Sequence, residues 1–405
     1  MIKSKADKPF DDIRPLRDDE AVATIKDLLN NYYFRRAVEP FIKPIKWGDL
    51  ESNMSSCKTV SEFQLKVIYP VFANLIKKTS LGVKGLNWEN ITGKGDSYVF
   101  VSNHRDIILD ASFLNMGMMD KGLSTTEVAI GDNLLIYPWI SNLMRLNKSF
   151  IVKRSASLRQ KLEEAKHLSE YIHHVVVDNK ESVWIAQREG RAKNSDDKTQ
   201  ASVLKMLSLS GNASPLMALK NLNITPLSFS YELDPCDYLK AKELQQKRDN
   251  PEYKKTLMND LESMITGLVG FKGHVYFKFG ECINSQFEKM DPALNNSDFI
   301  QKTAEIIDAE IYRNYVFFPF NYVAYDLMTG TATFKRNYSL KDERRFEKYL
   351  ERQIAKIDMP RRDAGFLRNC IINIYGNPVK NYLSVLPSEP KKDKKSRIRR
   401  LFSGQ

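Results

Sequence analysis

SYVFVSNHRDIILDASFLN, residues 97–115, changes character at its middle. Tyr98, Val99, Phe100 and Val101 form a short aromatic and β-branched run, the composition of a buried strand. Asn103 and His104 stand at the end of that run, and Asp106 and Asp110 follow, before or within a helix. The same switch recurs downstream. SFIVKR (149–154), SVWIAQ (182–187), ITPLSFSYE (224–232) and HVYFKFGECI (274–283) are short strand-like runs separated by longer helical stretches. This alternation predicts an α/β fold, with a central, mostly buried sheet flanked by helices.

Outward from this core the pattern is helical. Residues 20–90 carry apolar positions at helical spacing, in AVATIKDLLNNYYFRRAVEPF and again in VSEFQLKVIYPVFANLIKK. Between SFIVKR and SVWIAQ, Leu158, Leu162, Ala165, Leu168 and Ile172 fall on one stripe, expected to face the core. Residues 251–270 and 297–330 also read as helices, and DERRFEKYLERQIAKI and FLRNCIINIYGNPVKNYL suggest a C-terminal helical appendage. The expected organisation is an N-terminal helical region (1–84), an α/β domain (85–330), the appendage (331–387) and a basic tail (388–405).

The 405 residues carry 62 lysines and arginines against 50 acids, a net charge of +12 that favours an anionic partner. The tail KKDKKSRIRRLF concentrates this charge beside Leu401 and Phe402, as a segment lying on an anionic membrane would, or a solvated tail. No apolar run is long enough to span a bilayer, and the charged N-terminus lacks the apolar centre of an export signal. The four cysteines are scattered, which suits a reducing compartment and suggests neither a disulfide framework nor a zinc site.

His104 is the residue with the clearest chemical potential. Neutral imidazole accepts a proton from a hydroxyl near neutral pH, and a carboxylate on its other nitrogen fixes the tautomer and stabilises the imidazolium. Asp106 and Asp110 are both candidates for that carboxylate. Lys153 and Arg154 end one strand, and Arg188, Glu189, Gly190 and Arg191 end another. Strand ends converge along one edge of such sheets. His167, His173 and His174 are expected to be exposed, and neither they nor His274, which opens a strand, to be catalytic; the aromatic run 316–327 is expected to pack in a core rather than dip into a bilayer or line an acyl-chain groove.

These blocks resemble those of the glycerol-3-phosphate and 1-acylglycerol-3-phosphate (lysophosphatidate) acyltransferase superfamily. NHRDIILD resembles its histidine–aspartate motif, FIVKR its second block, REGR its glutamate–glycine block and ITPLSFSYE its proline-containing fourth block, in matching order over roughly residues 85–285. One departure is that the family separates histidine and aspartate by four residues. Here the corresponding position is Leu109, and Asp110 follows with one more residue in the turn.

The resemblance implies an O-acyltransferase in which His104, supported by Asp110, activates the hydroxyl of an anionic lipid acceptor, most readily lysophosphatidate. Glycerol 3-phosphate and an N-acyl amino-acid lipid are alternatives. The acyl donor would be acyl-CoA or acyl-ACP as co-substrate, with no cofactor and no metal. Arg154, Arg188 and Arg191, with help from Lys153, would hold the acceptor's anionic group, a surface ion pair being the favoured alternative for Lys153, and Glu189 would order its loop. Backbone N–H groups near Glu189 and Gly190 would receive the oxyanion, and Pro226 would shape the acyl pocket. Expected partners are membrane phospholipids and the thioester carrier, not nucleic acid, with the protein cytoplasmic and peripheral on the inner face of the membrane. A basic adaptor binding anionic lipid or nucleic acid is the non-enzymatic rival; it explains the charge but leaves the histidine block and REGR unused.

Overall fold

The computed structural model describes residues 9–92, 96–154, 157–211 and 213–387; the basic tail lies outside them. The apolar runs form a seven-stranded sheet from β1 (Gly82–Leu86), β2 (Val99–Ser102), β3 (Glu127–Gly131), β4 (Ser149–Val152), β5 (Val183–Ala186), β6 (Thr225–Tyr231) and β7 (His274–Phe279). Their spatial order is β1-β7-β6-β2-β5-β3-β4. Strands β6, β2, β5, β3 and β4 are mutually parallel, β7 is antiparallel to β6, and β1 runs with β7. The architecture is α/β with a mixed sheet. β1 and β3 add to the five expected strands; glycines, Lys84 and Glu127 dilute their apolar signal. The helical stretch expected over 20–90 gives way after Thr79, where β1 follows.

This topology gathers particular chain ends along one edge. The parallel strands finish there, at Ser102, Ala186, Tyr231, Gly131 and Val152. Because β7 and β1 run the other way, they begin there, with Tyr231 opposite Val275 and Gly82 opposite His274.

β2 ends in a device that ties it to β6. The Asn103 side chain takes the place of the next peptide: Oδ1 accepts the Phe229 N–H at 2.7 Å, and Nδ2 donates to the Phe229 carbonyl at 3.0 Å. The backbone is thereby free to leave the sheet while β6 keeps its hydrogen bonds. It then enters the helix Leu109–Asp120, whose first amides, Ile108 and Leu109, are capped by Asp106 Oδ1 at 2.9 Å. That helix buries Leu109, Phe113 and Leu114 against Phe100, Leu227, Phe229 and Phe277. Gly117 allows this approach, since a Cβ there would lie 2.6 Å from the Phe277 ring.

Contacts divide the described residues into two compact units. The first holds the sheet and most of the chain before Tyr315. In it the N-terminal helices make their own core, with Ile25, Leu28, Phe34, Met54 and Phe63 packed with Leu146. The second holds 192–196, 236–254 and the chain from Tyr315 onward, so it begins before the boundary expected near residue 330 and recruits the helix Asp237–Asp249. Tyr349 and Tyr375 hydroxyls both donate to the buried Asp237 carboxylate, at 2.6 and 3.0 Å. The aromatic run forms core there, with Phe318, Tyr322 and Val323 buried.

The stripe on Leu158–His173 faces the core only in its second half. Leu168 and Ile172 are buried, whereas Leu158 and Leu162 are exposed by 86% and 63%. Periodicity identifies the apolar face of a helix but not how far the surface beneath it extends.

Replacing Asn103 by alanine would leave the Phe229 N–H and C=O buried without partners. Asn103→Ala is expected to cost about 2–4 kcal/mol of stability in chemical denaturation; a loss below about 1 kcal/mol would show that the strand re-pairs without it.

Candidate active site

His104 emerges where β2 ends, with its side chain 11% exposed. Nδ1 lies 2.8 Å from Asp110 Oδ2. The same carboxylate oxygen accepts the backbone N–H groups of Arg105 at 2.7 Å and Asp106 at 3.0 Å, and Oδ1 accepts the Tyr231 hydroxyl at 2.9 Å. A carboxylate holding four donors is fixed in place. As it can only accept, the neutral ring carries its hydrogen on Nδ1 and presents the Nε2 lone pair. The edge of Trp184 closes one side of the imidazole, with ring centroids 5.6 Å apart, and its own Nε1–H is held by Ser102 Oγ.

Asp106 has a different position. Its Oδ1 is occupied as the helix cap, and Gly267 presses on its other side: a Cβ at 267 would lie 2.0 Å from Oδ2. Burial, then the charge of Asp110, raises its pKa, while the two capping amides and the charge of Arg191 oppose that rise. The imidazole therefore pairs with Asp110, and the extra residue before Asp110 is absorbed in the capped turn.

Beneath the histidine lies a buried polar layer. Asp197 Oδ2 accepts from Arg105 Nη2 at 2.5 Å and from Asn103 Nδ2 at 3.3 Å. Next to it Asp308 Oδ1 accepts the N–H and hydroxyl of Thr199, at 2.8 and 2.6 Å. Burial pushes the Asp308 carboxyl up to about 6, and the charge of Asp197 adds to the effect.

The expected anion-binding residues divide. Arg188 is half-buried, and its Nε is buried with no hydrogen-bond partner among the described residues. Arg191 is buried near Asp106. Arg154 Nη1 lies 3.1 Å from Glu189 Oε1, an exposed ion pair of little energetic weight that an incoming anion can displace. Lys153 does not join them. Its ammonium contacts Asp12, which His167 also engages at 3.0 Å, because successive residues leaving a strand point to opposite faces. The oxyanion expectation is also corrected at one group: the Glu189 N–H already donates to Gln200 Oε1 at 2.7 Å. Gly190 follows in the left-handed conformation, φ 66°, exposed to solvent. Pro226 is buried within β6, where its carbonyl accepts the Gly280 N–H. The other histidines have local partners: Asp178 for His174, Glu232 for His274 and the Leu207 carbonyl for His173.

Tyr231 and Gly267 are site residues the sequence reading missed. Tyr231 lay inside a quoted block, on the same strand face as Leu227 and Phe229, but nothing local signals its contact with Asp110. Gly267 lies on a helix far along the chain and gives no sequence signal.

Tyr231→Phe keeps the ring and removes one donor from a buried carboxylate. It is expected to cost about 1.5–3 kcal/mol in denaturation, and an unchanged midpoint would show that the hydroxyl bond contributes nothing. For Asp308 the sign follows from proton linkage. The folded state holds this proton up to about pH 6, whereas the unfolded chain releases it near the ordinary aspartate value of 3.8. Between these values the fold binds more protons, so stability falls as pH rises through the window and remains lower above it. Asp308→Asn retains the acceptor for Thr199 and is expected to gain about 2 kcal/mol at pH 7 and flatten the stability profile between pH 4 and 6. A steeper profile in the variant would refute this.

No curated protein sequence matches the chain. Among solved structures, the 1-acyl-sn-glycerophosphate (LPA) acyltransferase PlsC from Thermotoga maritima is similar, with 12% identity, a TM-score of 0.34 and coverage of 71% of this chain and 92% of that one. The family model described as acyltransferase matches residues 84–229. That span, matched by the acyltransferase family model, runs from within β1 through the histidine, both arginine-bearing loops and most of β6.

Proposed function

We propose that this acyltransferase moves a fatty acyl group from an acyl thioester, acyl-CoA or acyl-ACP, to the hydroxyl of an anionic lipid acceptor, lysophosphatidate foremost. Its place would be membrane phospholipid biosynthesis, acting from the cytoplasmic side as a peripheral protein. The observation that carries the reading is the His104–Asp110 pair, whose Nε2 has no hydrogen-bond partner among the described residues. Beside it in the matched span stands Arg188, with an unmade hydrogen bond.

In this mechanism Nε2 removes the acceptor hydroxyl proton as that oxygen attacks the thioester carbon. The carbonyl electron pair moves onto oxygen, giving a tetrahedral oxyanion. Asp110 stabilises the imidazolium through Nδ1–H. The oxyanion then re-forms the carbonyl, the carbon–sulfur bond breaks, and the imidazolium returns its proton to the leaving thiolate. No acyl-enzyme intervenes, so the geometry needs one base and two aligned substrates. An anionic acceptor supplies the hydrogen-bond acceptor that Arg188 lacks, with Arg191 and a displaced Arg154 adding charge. Among the described residues no helix is long and apolar enough to cross a membrane, which leaves surface attachment as the mode proposed.

The test is acyl transfer from labelled acyl-CoA and acyl-ACP to lysophosphatidate, glycerol 3-phosphate and N-acyl amino-acid lipids. His104→Ala is expected to lower kcat by about 10²–10⁴-fold while leaving the fold intact. Arg188→Ala is expected to raise KM for the acceptor by roughly tenfold or more, with a smaller effect on kcat. Equal product from wild type and His104→Ala would overturn the mechanism.

A further inference from the structure

The helix Leu257–Val269 turns its apolar side outward. Leu257, Met258, Leu261, Ile265 and Val269 recur along one face, and four of them are well exposed: Leu257 by 53%, Met258 by 68%, Ile265 by 41% and Val269 by 53%. The inward side carries Ser263 and Gly267, both buried, with Gly267 against Asp106. A helix on a water-soluble surface has the reverse arrangement. The apolar surface continues past the helix end to Phe271, 50% exposed, and then to Leu81, 61% exposed. Backbone bonds from Lys272 N–H to the Thr79 carbonyl and from Leu81 N–H to the Gly273 carbonyl hold these two segments side by side.

Position narrows the choice of occupant. β1 and β7 begin at the sheet edge where β2 ends in His104, so Leu81 and the 271–273 segment border that edge. The helix also packs on Asp132–Leu134, the turn after β3 at the same edge, and exposed Ile136 and Tyr137 follow that turn. Charge narrows it further. Lys77 and Lys78, both exposed, end the helix Tyr69–Thr79, which packs against Leu257–Val269 and leads directly into Leu81. The chain as a whole carries +12.

We propose that this face seats the protein on an anionic phospholipid bilayer, with the apolar side chains entering the acyl–headgroup boundary, Lys77 and Lys78 at the headgroups, and the His104 edge turned toward the lipid. The proposal rests on the lipid-acceptor reading, and it names the surface through which such an acceptor reaches the site without crossing bulk water. A thirteen-residue helix with one apolar face lies in an interface rather than across it.

The experiment is vesicle flotation of the full chain with phosphatidylcholine alone and with phosphatidylcholine–phosphatidylglycerol mixtures. It compares wild type with Met258→Glu/Ile265→Glu/Val269→Glu and with Lys77→Glu/Lys78→Glu. Wild type is expected to float with the anionic vesicles. The triple variant should lose at least tenfold in binding, the lysine variant should bind more weakly with a shallower salt dependence, and both should melt as wild type does. Failure of wild type to float, or equal flotation of the triple variant, overturns the proposal. So does sedimentation showing a wild-type dimer that the triple variant splits, since a second copy would then be the occupant. Flotation contains no acyl donor, so it is independent of the chemistry. If His104→Ala still makes product while the triple variant fails to float, the mechanism falls and the docking face stands; the reverse pair of results separates them the other way.

Discussion

One buried carboxylate holds together the parts that make the site. Asp110 binds the imidazole that ends β2, two backbone amides of the following turn and the hydroxyl of Tyr231 at the end of β6. Its own backbone belongs to the first turn of the helix Leu109–Asp120, where the aligned peptide dipoles favour negative charge. A carboxylate removed from water is costly unless each lone pair is met. Here the groups that meet them come from strand, turn and neighbouring strand, so the electrostatic requirement of one side chain fixes the relative placement of three elements. The imidazole tautomer follows from that placement.

Asp106 and Asp197 repeat this logic with different ends. Asp106 caps the helix that carries Asp110, and Asp197 holds Arg105 and Asn103 from below. Asp106 and Asp110 lie close enough to repel one another, and the raised pKa of Asp106 records its burial first and that repulsion second. Such crowding is tolerated where the surrounding structure over-determines it. Asn103 on the Phe229 peptide and Gly267 against Asp106 are two of the restraints that do so.

Much of this was legible in the sequence because the signals are local. The strand over 99–102, the histidine at its end and the carboxylates a turn later follow from period and side-chain chemistry alone, and so do the arginines that end β4 and β5. What was not legible depends on partners distant along the chain. Both Asp106 and Asp110 lie within reach of His104 in sequence, and only the capped turn separates their positions. Lys153 and Arg154 are neighbours with the same charge, yet strand alternation sends one to Asp12 and the other to Glu189. Residues 236–254 look like part of the α/β chain, but Tyr349 and Tyr375, more than a hundred positions later, draw Asp237 into the second unit. Leu158 and Leu162 carry the right pattern where no core surface reaches them.

The arginines near the site show how a structural cation differs from a receptive one. Arg105 is committed to Asp197, Arg191 lies in the field of Asp106, and Arg154 holds Glu189 only at the surface. Arg188 has a buried guanidinium nitrogen whose hydrogen bond is unmade among the described residues. An unmade bond of that kind weakens the fold while it persists and strengthens whatever completes it. A guanidinium already paired discriminates poorly between ligands, because displacing its partner offsets most of the gain. For Arg188 a new acceptor therefore displaces no partner among the described residues, so its gain exceeds that of the paired Arg105 or Arg154.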